Sequence, residues 1–340
     1  MKYPEVARRI VHKARDWRAF YGNALLNAVY ALSMAATARK RKQEGFRIAI
    51  QLPQLMFNTA GSVNGDIILA MALARGLEHR PEVDRAEVVG PDKACTGQYD
   101  LVLSLYARPY LKPVIGSVNY LWFQATLYGA PRSVLGGYNR IFCASPTLRD
   151  SFGLEKAEVM PMCASLELHH PTAPDPGLAH DVVFCGNNNR SPEVNARYLT
   201  PATRFDLAIY GERWDGFERW CRGVLPWERV STLYSSAKIV LAYHTDWHRE
   251  YNVLTTRIWE ALACGAFVIS DDLPMARDIL GDTVVWTEGG EDLADKIEYY
   301  LEHEQERGAI AARGHELVRK SENANARAAQ VVRALKEDMA

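Results

Sequence analysis

The run Thr255-Thr256-Arg257-Ile258-Trp259-Glu260 brings two hydroxyls, a guanidinium and a carboxylate into the first turns of one helix. Thr255 and Thr256 suit a helix start, because a hydroxyl there takes up a free backbone N–H. Ile258, Ala261 and Leu262 repeat at i, i+3, i+4 and give the helix one apolar face. A helix N-terminus that carries hydroxyls and an arginine is an anion site. Glu260, one turn further on, can accept two adjacent hydroxyls, as on a ribose. Together these groups suit a nucleoside diphosphate. Gly265 stands where the helix needs a residue that tolerates positive φ. Phe267-Val268-Ile269 then reads as a strand buried on both faces, and Asp271-Asp272 as its acidic exit.

The stretch Glu260-Ala261-Leu262-Ala263-Cys264-Gly265-Ala266, followed by Val268-Ile269-Ser270-Asp271, resembles the C-terminal domain of GT-B glycosyltransferases. The likeness is to the group-1 type, in the branch of spore-maturation glycosyltransferase-like proteins. It covers about residues 180–320. It implies two Rossmann-like domains facing a cleft, and a nucleotide-sugar donor whose ribose is held by Glu260. In the family a second glutamate often stands eight positions earlier, beside the transferred sugar. Here that position is Asn252, which leaves open the sugar and the stereochemical outcome.

Other candidates follow strands. Gly186-Asn187-Asn188-Asn189-Arg190 offers backbone N–H groups and a guanidinium to a phosphate, or else forms a polar turn capped by asparagines. In the family the first strand of this domain also ends in glycine and leads to a phosphate-binding basic residue, and Arg190 is the nearest match. Tyr210-Gly211-Glu212-Arg213-Trp214 resembles the family's Gly-x-x-Trp loop. Leu225 lies in the loop Gly223–Pro226, where such proteins seat the nucleobase. His244 and His248 stand at i, i+4 beside Asp246, a zinc spacing on a helix. They follow a strand, however, and lack the glutamate of H-E-x-x-H. In similar sequences this loop faces the donor sugar, with His244, Arg249, Glu250 and Asn252 as contacts. Asp66 opens a helix in the first half, as a general base across the cleft or as an acid favoured by the helix dipole. Asp66 and His244 are the candidates for catalytic work. The donor-binding set is Gly186, Asn187, Arg190, Tyr210, Gly211, Leu225, Asn252, Thr255, Thr256, Arg257 and Glu260.

The elements that position these residues alternate between strand and helix, which argues for parallel sheets. Expected strands are 46–50, 86–89, 101–105, 120–123 and 140–144, then 181–185, 205–210, 239–243, 267–269 and 284–286. Helices are expected at 67–77, 230–236, 291–301 and roughly 309–339. A glycine loop, 58–66, follows the first strand, without the G-x-G-x-x-G of a dinucleotide fold. The proline-rich segment 161–178 reads as a linker. The division is a basic helical extension (1–45), an acceptor domain (46–165), a donor domain (178–315) and a C-terminal helix (316–340).

With 340 residues and a 48% apolar fraction, two ordinary cores are available. The net charge of −1 gives no field for nucleic acid. Residues 1–44 carry ten Lys/Arg against three acids, and suit either an anionic membrane surface or packing on a protein. The six cysteines are scattered without C-x-x-C, as expected of reduced thiols in the cytoplasm, with or without contact to the inner face of the membrane. The expected activity is metal-independent glycosyl transfer to a hydroxyl of a glycan or lipid-linked acceptor, in glycan or surface-polysaccharide synthesis, with no cofactor. The alternatives are a nucleotide-sugar epimerase and a non-catalytic sugar-binding module.

Overall fold

In the computed structural model, residues 45–53, 65–90, 98–106, 113–114, 116–124 and 132–340 are described. The expectations for the basic extension and for most of the glycine loop lie outside these residues.

The first half runs β1 (Phe46–Gln51), α1 (Gly65–Glu78), β2 (Val83–Val89), β3 (Leu101–Ser104), β4 (Val118–Phe123), β5 (Arg140–Cys143), α2 (Pro146–Ser151) and β6 (Glu158–Val159). Its sheet has the order β2-β1-β3-β4-β5-β6, and every pairing is parallel. The central strands β3 and β4 are buried along their whole length because both faces are covered, and β4 pairs the side chain of Asn119 with the Val114 N–H at 2.8 Å. All six residues of β4 are buried, and the Trp122 indole N–H donates to Met160 O at 2.7 Å.

The second half runs β7 (Val182–Cys185), α3 (Pro192–Tyr198), β8 (Leu207–Tyr210), α4 (Val230–Ser236), β9 (Ile239–Leu241), α5 (Asp246–Glu250) and α6 (Thr256–Ala263). It continues through β10 (Val268–Asp271), α7 (Pro274–Leu280), β11 (Val285–Thr287), α8 (Glu291–Glu302), α9 (Glu304–Lys320) and α10 (Ala324–Met339). Its sheet order is β11-β10-β9-β7-β8, again all parallel. In both sheets the second strand lies on one side of the first and the third on the other. That reversal opens a crevice at the carboxyl ends of β1/β3 and of β7/β9, where open α/β sheets bind ligands.

The single helix expected over 309–339 is two helices. Asn323 breaks it: its side chain accepts the Ala326 N–H at 3.1 Å as an N-cap, and the Ala324 N–H bonds Ala164 O at 2.9 Å. The turn sends α10 back over the first half, where it packs on α1. There Asp338 receives the buried Tyr120 hydroxyl and, at 2.6 Å, Arg140 Nη2. A second tie runs from Ser145 Oγ to Tyr251 O at 2.5 Å, with the Phe152 and Tyr251 rings 6.0 Å apart beside it. Among the described residues no helix is long and apolar enough to cross a membrane.

The α1–α10 contact depends on a missing side chain. A Cβ on Gly76 would lie 2.5 Å from Ala324 O and 2.7 Å from its carbonyl carbon. Gly76→Ala gains about 1 kcal/mol of helix propensity. Displacing backbone costs roughly 1–3 kcal/mol, so the clash is expected to win. Urea unfolding of the variant should show a lower midpoint, and an unchanged or raised midpoint would contradict this packing.

Candidate functional site

The loops after β7 and β9 and the start of α6 meet at the crevice of the second sheet. Thr255 caps α6, its hydroxyl accepting the Arg257 N–H at 3.2 Å. The Thr256 N–H and hydroxyl have no hydrogen-bond partner among the described residues, so the helix end presents free donors.

Arg257 reaches from this end to the β7 loop, where its Nε donates to Cys185 O at 2.5 Å. Its guanidinium carbon lies 4.2 Å from the centroid of the Phe184 ring. Its Nη1 is buried without a partner. Arg190 comes to the same ring, 4.7 Å from the centroid, and 4.7 Å from that of Tyr243. It donates to Tyr243 O at 3.0 Å and Asn187 O at 3.3 Å, while its Nε is also buried and unpartnered. Neither guanidinium meets a carboxylate at ion-pair distance among the described residues. Burial first, then the charge of Arg257, pushes the Arg190 guanidinium down to about 9. Two guanidiniums without a carboxylate in one half-buried crevice can take an anion of more than one charge.

Close backbone approach makes room for them. Gly186 has φ 143, and a Cβ there would collide with Arg257 Nη2. Gly211, at φ 147 after β8, would collide with Gly186 O. The Gly186 N–H bonds Tyr210 O at 2.7 Å, and the Gly211 N–H bonds Gly223 O at 2.8 Å. The second bond ties the loop of Leu225 to the same edge. Trp214 anchors it from below, its indole N–H donating to Gly186 O at 3.0 Å.

Beneath the arginines lies a fully paired charge. Asp271, at the end of β10, and His244, after β9, are both fully buried. His244 Nε2 accepts the Thr255 N–H at 3.2 Å. The proton therefore sits on Nδ1, which donates to Asp271 Oδ1 at 2.7 Å. The His244 N–H donates to the same oxygen at 3.1 Å, and Arg249 Nη1 donates to Oδ2. Burial raises the Asp271 carboxyl, but His244 and Arg249 together outweigh it and hold the group below its ordinary value. His248, half-buried beside Thr245, is pushed down to about 3 by desolvation and then by His244 and the two arginines, so it is neutral near pH 7.

The crevice thus gathers Gly186, Asn187, Arg190, Tyr210, Gly211, Thr255, Thr256 and Arg257. Glu260 lies on α6, half-buried, and its carboxylate has no hydrogen bond or ion pair among the described residues. Asp66 sits in the first turn of α1, and a Cβ on the preceding Gly65 would lie 3.5 Å from Thr256 Oγ1, so the two helix starts face each other. Asn252 adopts φ 54, and its Oδ1 accepts the Met275 N–H of α7 at 3.2 Å, a structural bond that the sequence did not indicate. His244 has both ring nitrogens engaged. The guanidinium of Arg249, expected toward a sugar, pairs with Asp271 instead. Asp271 and the Phe184 platform were not foreseen. Asp271 was visible only as an acid after a strand, and Phe184 only as a core residue.

Residues 190–333 match the protein-family model described as Glycosyl transferase-like. No curated protein matches the chain. Among solved structures, a glycosyltransferase from Rickettsia africae aligns with TM-score 0.61 at 13% identity, over 87% of this chain and 99% of that one. HepE of Anabaena, solved in complex with UDP-glucose, aligns with TM-score 0.61 at 13% identity, over 85% and 100%. Sucrose-phosphate synthase from Thermosynechococcus elongatus aligns with TM-score 0.59 at 13% identity, over 86% and 98%. The fold is GT-B, with a glycosyltransferase-like domain in the second half.

The Asp271 network carries a pH signature. Because the folded carboxyl titrates below its usual 3.8, its stabilisation is complete above that value and is lost as pH falls through the folded value. Asp271→Asn should cost about 1.5–3 kcal/mol near neutrality. In thermal melts from about pH 7 to pH 3, the gap to the wild type should stay level above about pH 5 and close below about pH 4. A gap that widens on acidification would contradict the pairing.

Proposed function

We propose that the chain is a glycosyltransferase that takes a sugar from a nucleotide-sugar donor, UDP-linked in the first instance, to an acceptor hydroxyl. The observation that carries this reading is the guanidinium pair Arg190 and Arg257, without carboxylate partners, at the free N-terminus of α6. A diphosphate supplies the missing charge. As the sugar–phosphate bond breaks, negative charge grows on the diphosphate, and both arginines with the Thr256 N–H stabilise it most at that moment. This chemistry needs no divalent metal.

Glu260 accepts the ribose hydroxyls, and the loop of Leu225 seats the base. Tyr210, Gly211, Gly186 and Asn187 supply the wall around the phosphates. The first half, 46–165, holds the acceptor. Asp66 takes the acceptor proton, a role supported by the opposition of the α1 and α6 starts. Asn252 contributes through the part of its carboxamide that does not cap α7. The basic segment 1–44 fits a glycan or lipid-linked acceptor at a membrane surface in surface-polysaccharide synthesis. Free thiols at Cys143, Cys163, Cys185, Cys221 and Cys264 fit the cytoplasm.

The direct test is turnover of UDP-, GDP- and dTDP-sugars in a mixture of glycan and lipid-linked acceptors. Donor cleavage that depends on acceptor and persists in excess chelator is expected. Acceptor-independent conversion of the donor sugar would favour an epimerase instead, and donor binding without any turnover a sugar-binding module.

Glu260→Ala should weaken UDP about ten- to two-hundredfold, a loss of about 1.5–3 kcal/mol of charged hydrogen bonding. It should matter much less for a 2′,3′-dideoxy analogue, with little change in melting temperature. Calorimetric titration of both nucleotides into both proteins checks this. Equal loss for both nucleotides would remove Glu260 from the ribose.

A further inference from the structure

The buried His244–Asp271 pair is more elaborate than a core contact needs. It holds one backbone N–H, that of Thr255, at the cap of the helix whose free end faces the arginines. An ordinary capping threonine leaves its own N–H to solvent or to a nearby carbonyl. Here an imidazole nitrogen is brought up as acceptor instead. The imidazole has no rotational freedom, because Asp271 Oδ1 receives both its Nδ1–H and the His244 backbone N–H. The carboxylate is fixed in turn by Arg249, which lies 5.1 Å over the Tyr198 ring. Asp246, in the same loop, accepts from the Ser191 N–H at 3.0 Å and its hydroxyl at 2.8 Å, tying this assembly to the loop that bears Arg190. Arg257, two residues beyond Thr255, keeps a buried, unpartnered Nη1 at the same crevice.

We propose that His244 and Asp271 are positioning residues for the donor diphosphate. Asp271 selects the tautomer that leaves Nε2 as an acceptor, and His244 Nε2 then fixes the Thr255 backbone, so that the Thr256 N–H and the Arg257 guanidinium are set for the anion before it arrives. His244 acts from beneath the site and touches no substrate. The inference rests on the donor site described above and assigns what holds that site rigid. Preorganised donors act without the cost of ordering them at the moment of reaction, which is why one backbone N–H merits a buried acid–imidazole pair.

The chemistry of the two ring nitrogens gives a selective test. Glutamine at position 244 can bring its Oε1 to the place of Nε2 and accept the Thr255 N–H. Asparagine can reach Asp271 but leaves the Thr255 N–H unpaired. UDP, inorganic pyrophosphate and uridine are titrated into the wild type, His244→Asn and His244→Gln. His244→Asn should bind UDP and pyrophosphate about tenfold more weakly, with uridine unchanged, and His244→Gln should restore the phosphate ligands to within about threefold. Equal weakening of all three ligands, or no rescue by glutamine, would reduce His244 to a packing residue. Wild-type protein that binds neither UDP nor pyrophosphate would overturn the donor site itself and this proposal with it. A measurement without variants guards against misfolding. The ¹⁵N spectrum of the wild type should show His244 as the Nδ1–H tautomer, and the Nε2–H tautomer would contradict the proposal.

Discussion

Two arginine side chains against one phenylalanine ring, without an acid between them, are the constraint around which the second half is arranged. Burial and then the like charge of Arg257 disfavour the charged Arg190 guanidinium, and its lowered value expresses both. The fold tolerates them through weaker neutral partners. Arg190 has the carbonyls of Asn187 and Tyr243, Arg257 has that of Cys185, and both have the face of Phe184. Asp271 lies nearby and could have neutralised one of them. It is instead committed to His244 and Arg249. The molecule thus pairs the charge it buries completely and leaves unpaired the charge it presents to the crevice.

The topology explains why the arginines meet here. In the sheet order β11-β10-β9-β7-β8, the loops after β7 and β9 diverge to opposite sides. Helix α6 enters the gap with its N-terminus forward, so dipole, free N–H groups and guanidinium add in one direction. The same loop after β9 that carries His244 ends at Tyr251, whose carbonyl is held by Ser145 of the first half. The arginine crevice and the contact between halves therefore share one short segment. Helix α10 supplies the other tie, from the far side.

Much of this was legible in the sequence, and the exceptions have physical reasons. The α6–β10 stretch could be read because apolar spacing, a capping threonine and a glycine stop agree with one another, and Thr255 and Gly265 take those places. Arg190 and Arg257 were singled out by a glycine loop and a helix start, and the structure brings both to the Phe184 ring. The alternation of elements gave parallel sheets, although β6 is two residues long and has no periodicity to detect. The helix break at Asn323 was missed because its cause is tertiary: the bridge to Ala164, far away in the chain. The Asp271–His244 pair was missed for a similar reason. The two residues are separated in sequence and meet only because β9 and β10 are parallel neighbours. Asn252 stands where the resemblance places a sugar-binding glutamate, and its positive φ and bond to α7 are properties of the chain path that no motif encodes.

The central claim is that the arginine pair is an unsatisfied charge completed by a diphosphate. It has an unusual consequence, because removing one cation should relieve the folded protein while damaging its site. The decisive measurement pairs thermal melts with calorimetric titration of UDP and uridine for the wild type and Arg190→Gln. The account predicts a melting temperature unchanged or raised, UDP affinity reduced about tenfold or more, and uridine affinity unaltered. A variant that melts lower yet binds UDP as tightly as the wild type would show that Arg190 serves the fold and not the anion, and would contradict the account.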